Sequence, residues 1–347
     1  MKKFLSIALA LLMVCVMLPV VALAAEKTAS TYEELKSAIS TANDGDTIKL
    51  LADIDLSQTI TVNKTITLNM NGKKLYNTSD LWDKPTAEDD NWSLISVRGS
   101  GNLTITGNGT FAAKENDCYA VDVQESATVT IKNGTFIGNI HAVYVFAGTA
   151  NVEGGTYSVQ QKYPDSAKGD EFVLNCYDAN RANGTAHINV TGGTFKNFNP
   201  ADNKAEGEGN NFADNSLVVQ KNNTVQNNDY YVGNAANEVI AAASKGEEIF
   251  VLNGTTLTNV PAGVIIQNRT GDRITVNGKD VELTGDAGYT VPASNITIIV
   301  PGDTTPAETP KTDDQKNPST GANDMVAAAA ALMAVAALGM SILSRKK

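Results

Sequence analysis

The residues best suited to ligand binding are concentrated at positions 77–92. This stretch contains both tryptophans of the chain, Trp82 and Trp92. It also contains four carboxylates: Asp83, Glu88, Asp89 and Asp90. Aromatic faces stack on sugar rings, and clustered carboxylates are the hard oxygen ligands that Ca²⁺ prefers. The spacing lacks the glycine and terminal glutamate of an EF-hand loop. We therefore predict a ligand-binding loop without a metal. A solvated acidic loop without a ligand is the alternative, and a calcium site at the same carboxylates is a weaker one.

Residues for catalysis are sparse. The chain has two histidines, His141 and His187, and each lies in or beside a predicted strand. Asp122 is the only acid in the aligned strand segments described below, whereas glycoside hydrolysis requires two carboxylates at a fixed separation. We therefore predict no catalytic residue and no cofactor.

Charge excludes one class of partner. The 347 residues carry a formal net charge of −11. Proteins that bind nucleic acid present a basic surface to the phosphates. We therefore expect no nucleic-acid partner.

One short phrase occurs four times between positions 102 and 195. The copies read NLTITGNGTF at 102–111, TVTIKNGTF at 128–136, TANVEGGTY at 149–157 and AHINVTGGTF at 186–195. Each alternates apolar and polar residues, as a strand with one buried face does, and ends in Gly-Thr and an aromatic residue. One strand and one turn per repeat are typical of a solenoid. An all-β, right-handed parallel β-helix is predicted for residues 26–229.

A second set of apolar segments aligns between these copies. Its members begin at Leu94, Ala120, Ala142, Phe172 and Leu217. Long insertions precede three of them, at 77–92, 158–170 and 197–215, so all three should leave the same corner of the coil. Insertions on one side of a solenoid often build its binding face. A corner that merely tolerates insertion is the alternative.

Two helices are predicted. Leu35, Ala38 and Ile39 give the first an apolar face, and Thr31 with Glu34 forms a capping box. We expect this helix to cover the open end of the coil. A similar helix-plus-strands pattern returns within 230–300, either as a continuation of the solenoid or as a separate β-rich module.

Two of the three cysteines, Cys118 and Cys176, lie outside the signal peptide that is predicted below for residues 1–25. They fall two coils apart, roughly 9.6 Å at the usual strand spacing, which exceeds the reach of a disulfide. We predict two free thiols, each at least partly buried.

The N-terminal residues predict export. Lys2 and Lys3 precede an apolar run, and the small residues Ala22, Ala24 and Ala25 follow it. This order is typical of a signal peptide, which we assign to residues 1–25.

The C-terminal residues contain three features in order: the pentapeptide NPSTG, an apolar run at 325–343 and a basic tail at 345–347. The run would span roughly 28 Å as a helix, about one hydrocarbon thickness. Residues 301–316, rich in Pro, Thr and Asp, predict a disordered spacer before them. A simple membrane anchor is the alternative interpretation.

Together, residues 317–347 resemble the cell-wall sorting signal of Gram-positive surface proteins. The motif residues are Asn317, Pro318, Ser319, Thr320 and Gly321, with Asn where that family usually has Leu. The resemblance implies a transient membrane-spanning stage. Sortase would then cut between Thr320 and Gly321 and join Thr320 to peptidoglycan. Loss of residues 1–25 and 322–347 would leave a net charge of −15 on the displayed part.

The predicted fold resembles that of pectate lyases and polygalacturonases, but the Gly-His-Gly and Arg-Ile-Lys motifs of polygalacturonases are missing. We therefore expect an extracellular, wall-anchored protein that recognises a glycan or host surface without catalysis. The alternatives are a polysaccharide lyase or glycoside hydrolase of the β-helix type, and a purely structural wall component.

Overall fold

The computed structural model describes residues 24–82, 92–161, 171–201, 212–213, 217–221, 229–233, 236–252, 256–282 and 288–293. The predicted signal peptide up to residue 23, the spacer and the sorting signal lie outside these residues. No helix among the described residues is long and apolar enough to cross a membrane. The predicted span at 325–343 lies outside the described residues.

Three sheets, whose strands run parallel through the coils, make up most of the described chain; strands are numbered in chain order. Sheet A contains β1 (Glu26–Ala29), β2 (Thr47–Leu50), β5 (Thr65–Asn69), β8 (Asn102–Thr106), β11 (Thr128–Ile131), β14 (Gly148–Val152) and β17 (Ala186–Val190). Sheet B begins with β3 (Ile54–Asp55), β6 (Lys74–Tyr76), β9 (Thr110–Ala112), β12 (Thr135–Gly138), β15 (Thr156–Val159) and β18 (Gly192–Lys196). Sheet C contains β4 (Ile60–Val62), β7 (Ser93–Val97), β10 (Tyr119–Val123), β13 (Val143–Val145) and β16 (Leu174–Cys176).

The chain visits sheets A, B and C in turn, and each strand pairs with its counterpart one coil later. In sheet C, for example, Val121 pairs with Ile95 on one side and Val143 on the other. The pairing is parallel throughout these coils. This architecture is mostly β with few helices, and it confirms the prediction of an all-β parallel solenoid.

The repeated phrase forms the strands of sheets A and B, and its last residue fills the interior. Phe111, Phe136, Tyr157 and Phe195 stack across four coils with centroid separations of 4.8, 5.1 and 5.0 Å. All four side chains are fully buried. The glycine before each threonine makes the turn into sheet B. Gly134 there has φ +119°, a conformation that favours glycine.

The predicted first helix is present as α1 (Tyr32–Ser40). The Thr31 side chain accepts a hydrogen bond from the Glu34 N–H. The Glu34 carboxylate in turn accepts one from the Ser30 N–H, one residue earlier than in an ideal capping box. The apolar face is buried, with Leu35 fully so, and the helix packs against β1 and β2.

Two predicted alignments are wrong. β16 pairs Leu174 with Val143 and Cys176 with Val145, so Val173 and not Phe172 occupies the position of Ala142. The run Phe-Val-Leu is apolar on both faces and therefore does not define the register. The segment beginning at Leu217 belongs to sheet B and not to sheet C.

Parallel stacking of coils ends at β18. β20 (Asp229–Gly233) pairs antiparallel with it, and β19 (Leu217–Lys221) and β21 (Glu248–Val251) follow antiparallel. β23 (Ile265–Asn268) and β26 (Tyr289–Thr290) complete sheet B. β22 (Thr256–Leu257), β24 (Ile274–Val276) and β25 (Lys279–Val281) form a small sheet.

The second predicted helix is α3 (Ala236–Ala242), with Val239 and Ile240 buried. These side chains belong to a hydrophobic cluster separate from that of the coils. The region around α3 is therefore joined to the solenoid through sheet B, but it has a hydrophobic core of its own. A short helix, α2 (Asp178–Ala182), lies between β16 and β17.

The insertions at 77–92 and 158–170 both leave sheet B and return to sheet C, as predicted. The third, at 197–215, also leaves sheet B after β18, but the chain then returns to sheet B as β19. All three therefore leave the coil from the end of a sheet B strand.

Candidate functional site

Six side chains form a continuous group along the edge where the chain enters sheet C. We call this group the ring cluster: Trp82, Trp92, Tyr119, His141, Tyr144 and Phe172. All but Trp82 lie in or just before strands of sheet C. Because neighbouring coils are about 4.8 Å apart, side chains at equivalent positions come into ring contact.

The rings form an unbroken series of contacts. The centroid of Trp82 lies 5.0 Å from that of Trp92 and 5.4 Å from that of Tyr119. Tyr119 lies 4.8 Å from His141 and 5.1 Å from Tyr144. Trp82 is 39% exposed, whereas Tyr119 and His141 are each 6% exposed. Trp82 is therefore the part of the cluster that a ligand can contact most readily, and the buried rings support it.

One buried carboxylate fixes the start of the tryptophan loop. Asp117 accepts hydrogen bonds from the Leu81 N–H and the Trp82 N–H, both at 2.8 Å. It also accepts one from the Asn77 side-chain amide at 2.6 Å. Asn77 in turn accepts a hydrogen bond from the Lys114 N–H. Hydrogen bonds to a charged group are worth more than neutral ones, so Asp117 holds the backbone of Trp82 firmly against the coil.

His141 is a neutral member of the cluster. Its Nδ1 lies 2.7 Å from the Phe172 carbonyl oxygen and therefore donates to it. Its Nε2 lies 3.1 Å from the Asn175 amide nitrogen and accepts from it. A second proton on the ring would face this donor. Burial lowers the pKa of His141 to about 4, which agrees with the neutral tautomer that the contacts define.

A second buried carboxylate, Asp122, lies in sheet C. It accepts hydrogen bonds from the Ser96 hydroxyl at 3.0 Å and from the Gln124 amide at 2.8 Å. Ser96 also accepts one from Arg98 Nε. Asp122 is the only acidic residue in the described strands of sheet C. These strands therefore do not supply the pair of carboxylates that glycoside hydrolysis uses.

The structure brings together two of the predicted site residues, Trp82 and Trp92. The four predicted acidic residues, Asp83, Glu88, Asp89 and Asp90, lie outside the described residues and stay predictions. Within the described part of the chain, no three His, Cys, Asp or Glu side chains are placed to hold a metal ion. The sorting motif at 317–321 is also outside this part.

Sequence reasoning missed four members of the ring cluster and the carboxylate that anchors it. Tyr119, His141 and Phe172 each come just before or at the start of a sheet C strand, as Trp92 does. An aromatic or imidazole ring at the entry to four successive strands is the signal that could have revealed the cluster. Asp117 has no such signal, because its partners, two backbone N–H groups and the Asn77 amide, are more than 30 residues away.

The two thiols are free and buried, as predicted. Burial raises the pKa of the Cys118 thiol, so this group stays protonated at neutral pH. A protonated, buried thiol is a poor nucleophile. Neither the position nor the protonation of Cys118 suits it to covalent catalysis.

Comparison with known proteins adds no assignment: no family model matches the chain, and no curated protein or solved structure does.

Proposed function

We propose that this chain is an exported, wall-anchored β-solenoid that recognises a glycan on a host or environmental surface, without catalysis. The ring cluster is the observation that carries the proposal. A partly exposed tryptophan is supported by five further rings and fixed by a buried carboxylate. Sugar rings present apolar C–H faces, which stack on such a platform. Rigid support lowers the entropy lost on binding.

A further feature supports recognition rather than hydrolysis. The described strands of sheet C contain one carboxylate, that of Asp122, and two neutral donors already engage it: the Ser96 hydroxyl and the Gln124 amide.

The finer features of the fold are part of the same proposal. We propose a right-handed coil, because crossovers between parallel strands are right-handed in about 98% of cases. We also propose that α1 caps the coil, because it packs beside β1 at the edge of sheet A and exposed strand edges invite aggregation. A crystal structure with a left-handed coil would contradict the first point.

Anchoring to the wall through Thr320 rests on the sorting-signal resemblance of residues 317–347. The expected result is that muramidase digestion of intact cells releases the protein covalently linked to peptidoglycan fragments. Substitution Thr320→Ala should leave it in the detergent-extractable membrane fraction. Complete extraction of the unaltered protein by detergent alone would contradict wall anchoring and favour a membrane anchor.

Substitution Trp82→Ala is expected to weaken glycan binding about tenfold, because it removes one stacking surface worth roughly 1 kcal/mol or more. The measurement is calorimetric titration of the full-length protein, in a detergent without a sugar headgroup, with neutral plant and mucin oligosaccharides. Leu51→Ala is the matched control, since Leu51 is also an exposed apolar side chain at 48% exposure. Equal affinity of the Trp82→Ala variant and the unaltered protein would contradict the assignment of the ring cluster as the glycan-binding site.

A further inference from the structure

A second aromatic pair lies at the other edge of sheet C. Phe146 and Tyr177 follow directly after β13 and β16. Their rings are stacked, with centroids 4.8 Å apart and an interplanar angle of 26°. Phe146 is 39% exposed and Tyr177 is 43% exposed. Neither side chain belongs to the buried hydrophobic clusters, so the core does not account for two apolar rings at this position.

The backbone holds this pair in a fixed column. The N–H of Phe146 donates to the Val123 carbonyl oxygen, and the N–H of Tyr177 donates to that of Val145, both at 2.9 Å. The Asn180 amide donates to the Phe146 carbonyl oxygen at 2.6 Å. The pair is therefore a preformed surface and not a loose loop tip.

The same column continues with polar groups in the preceding coils. Gln124 and Arg98 make the equivalent backbone hydrogen bonds, to the Val97 and Val62 carbonyl oxygens. Both side chains are half-buried. Arg98, Gln124, Phe146 and Tyr177 therefore form one line along the coil axis, in which two polar side chains are followed by two aromatic rings. A sugar polymer presents both kinds of surface, because its rings have apolar faces and its edges carry hydroxyls.

We infer that the Phe146–Tyr177 pair is a second binding site for a neutral glycan chain, which extends from the ring cluster across sheet C. The inference rests on the proposed function and names the ligand class as a neutral polysaccharide. Trp92 of the ring cluster lies six residues along the strand and two coils across from Phe146, roughly 20 Å away. Tyr144 of the same cluster lies between them, two residues before Phe146. An oligosaccharide that reaches both sites gains affinity through effective concentration.

Charge and size favour this occupant over the others. The chain carries a net charge of −11, which disfavours both anionic polymers and association with a second copy of itself. Two rings also offer far less surface than the roughly 1,200 Å² that a stable protein interface buries. A neutral glycan needs neither charge complementarity nor a large area.

The test uses the fluorescence of a single tryptophan placed at the second site. Trp82 and Trp92 are the two tryptophans of the chain, so the triple substitution Trp82→Phe, Trp92→Phe, Phe146→Trp leaves one indole, at the second site. The full-length variant, in a detergent without a sugar headgroup, is titrated with glucan, xylan and mannan oligosaccharides of increasing length. Oligogalacturonate is the anionic comparison. A second reporter, Trp82→Phe, Trp92→Phe, Leu51→Trp, places the indole on an exposed apolar position elsewhere.

The expected result is a saturable change in Trp emission at position 146 with a neutral oligosaccharide and none at position 51. Adding Tyr177→Ala to the first reporter should weaken this binding about tenfold. A response to oligogalacturonate alone would overturn the neutral class. An emission change that depends on protein concentration without sugar would overturn the glycan in favour of a second copy.

Failure of this site and failure of the proposed function give different results. If emission from Trp82 and Trp92 of the unaltered protein responds to a glycan while position 146 does not, the second site is wrong and the proposed function stands. If position 146 responds while Trp82 and Trp92 do not, the ring cluster is wrong as the primary site. No response at any of these indoles overturns both. Far-UV circular dichroism of each variant shows that the coil is folded.

Discussion

Substitution Phe136→Ala is expected to destabilise the protein by about 3–5 kcal/mol, because it opens a cavity in the middle of the interior stack. Phe136 is fully buried and contacts Phe111 on one side and Tyr157 on the other, with centroids at 4.8 and 5.1 Å. In a solenoid each coil is stabilised mainly by its neighbours. Loss of one ring therefore weakens two interfaces between coils. The measurement is urea unfolding followed by far-UV circular dichroism.

Phe146→Ala is the matched control, because the same side chain is removed from an exposed position outside the core. This control should cost about 1 kcal/mol or less. Equal destabilisation by the two substitutions would contradict the interior stack. Phe136 would then lie on the surface, and the coil register would be wrong.

Acidification from pH 7 to pH 5 is expected to remove about 2 kcal/mol of stability through His141. Burial lowers the pKa of His141 to about 4 from an ordinary value of 6.5. Below pH 6.5 the unfolded chain therefore binds a proton that the folded chain excludes. The contribution is complete above pH 6.5, and it declines as the pH falls toward 4. The measurement is the free energy of unfolding at a series of pH values.

Because the chain has only two histidines, the contribution of His141 to the pH dependence can be measured separately. His187 is exposed, so His187→Asn should retain the pH dependence of the unaltered protein. His141→Asn keeps a donor near Nδ1 but cannot titrate, and it should flatten the profile whatever its stability at pH 7. A profile that is steep for His141→Asn and flat for His187→Asn would show that the tautomer and burial assigned to His141 are wrong.

Local patterns predicted the repeated coil because each phrase carries its own evidence. The alternation in NLTIT and TVTI defines an inner and an outer face, and the aromatic residue after Gly-Thr enters the core in all four copies. The same reasoning failed where the pattern was weak. β1 reads EKTA and has no apolar alternation, so its pairing with β2 was not predicted. At Phe172-Val-Leu, an apolar residue at every position left the register one residue out.

Contacts between distant segments account for the rest. Asp117 reaches Trp82 across 35 positions, and His141 reaches Phe172 across 31. No local sequence pattern predicts hydrogen bonds between residues so far apart in the chain. The alternating sequence of β18 predicts a strand, but it does not predict that β20 pairs with it antiparallel. Parallel and antiparallel neighbours both suit the same alternation.

The most direct test of glycan recognition is a crystal structure of the protein with a bound neutral oligosaccharide. A sugar ring is expected to stack on Trp82, with the rest of the glycan chain directed across sheet C toward Phe146 and Tyr177. Sugar density confined to the outer face of sheet A, or at any position away from these rings, would contradict it.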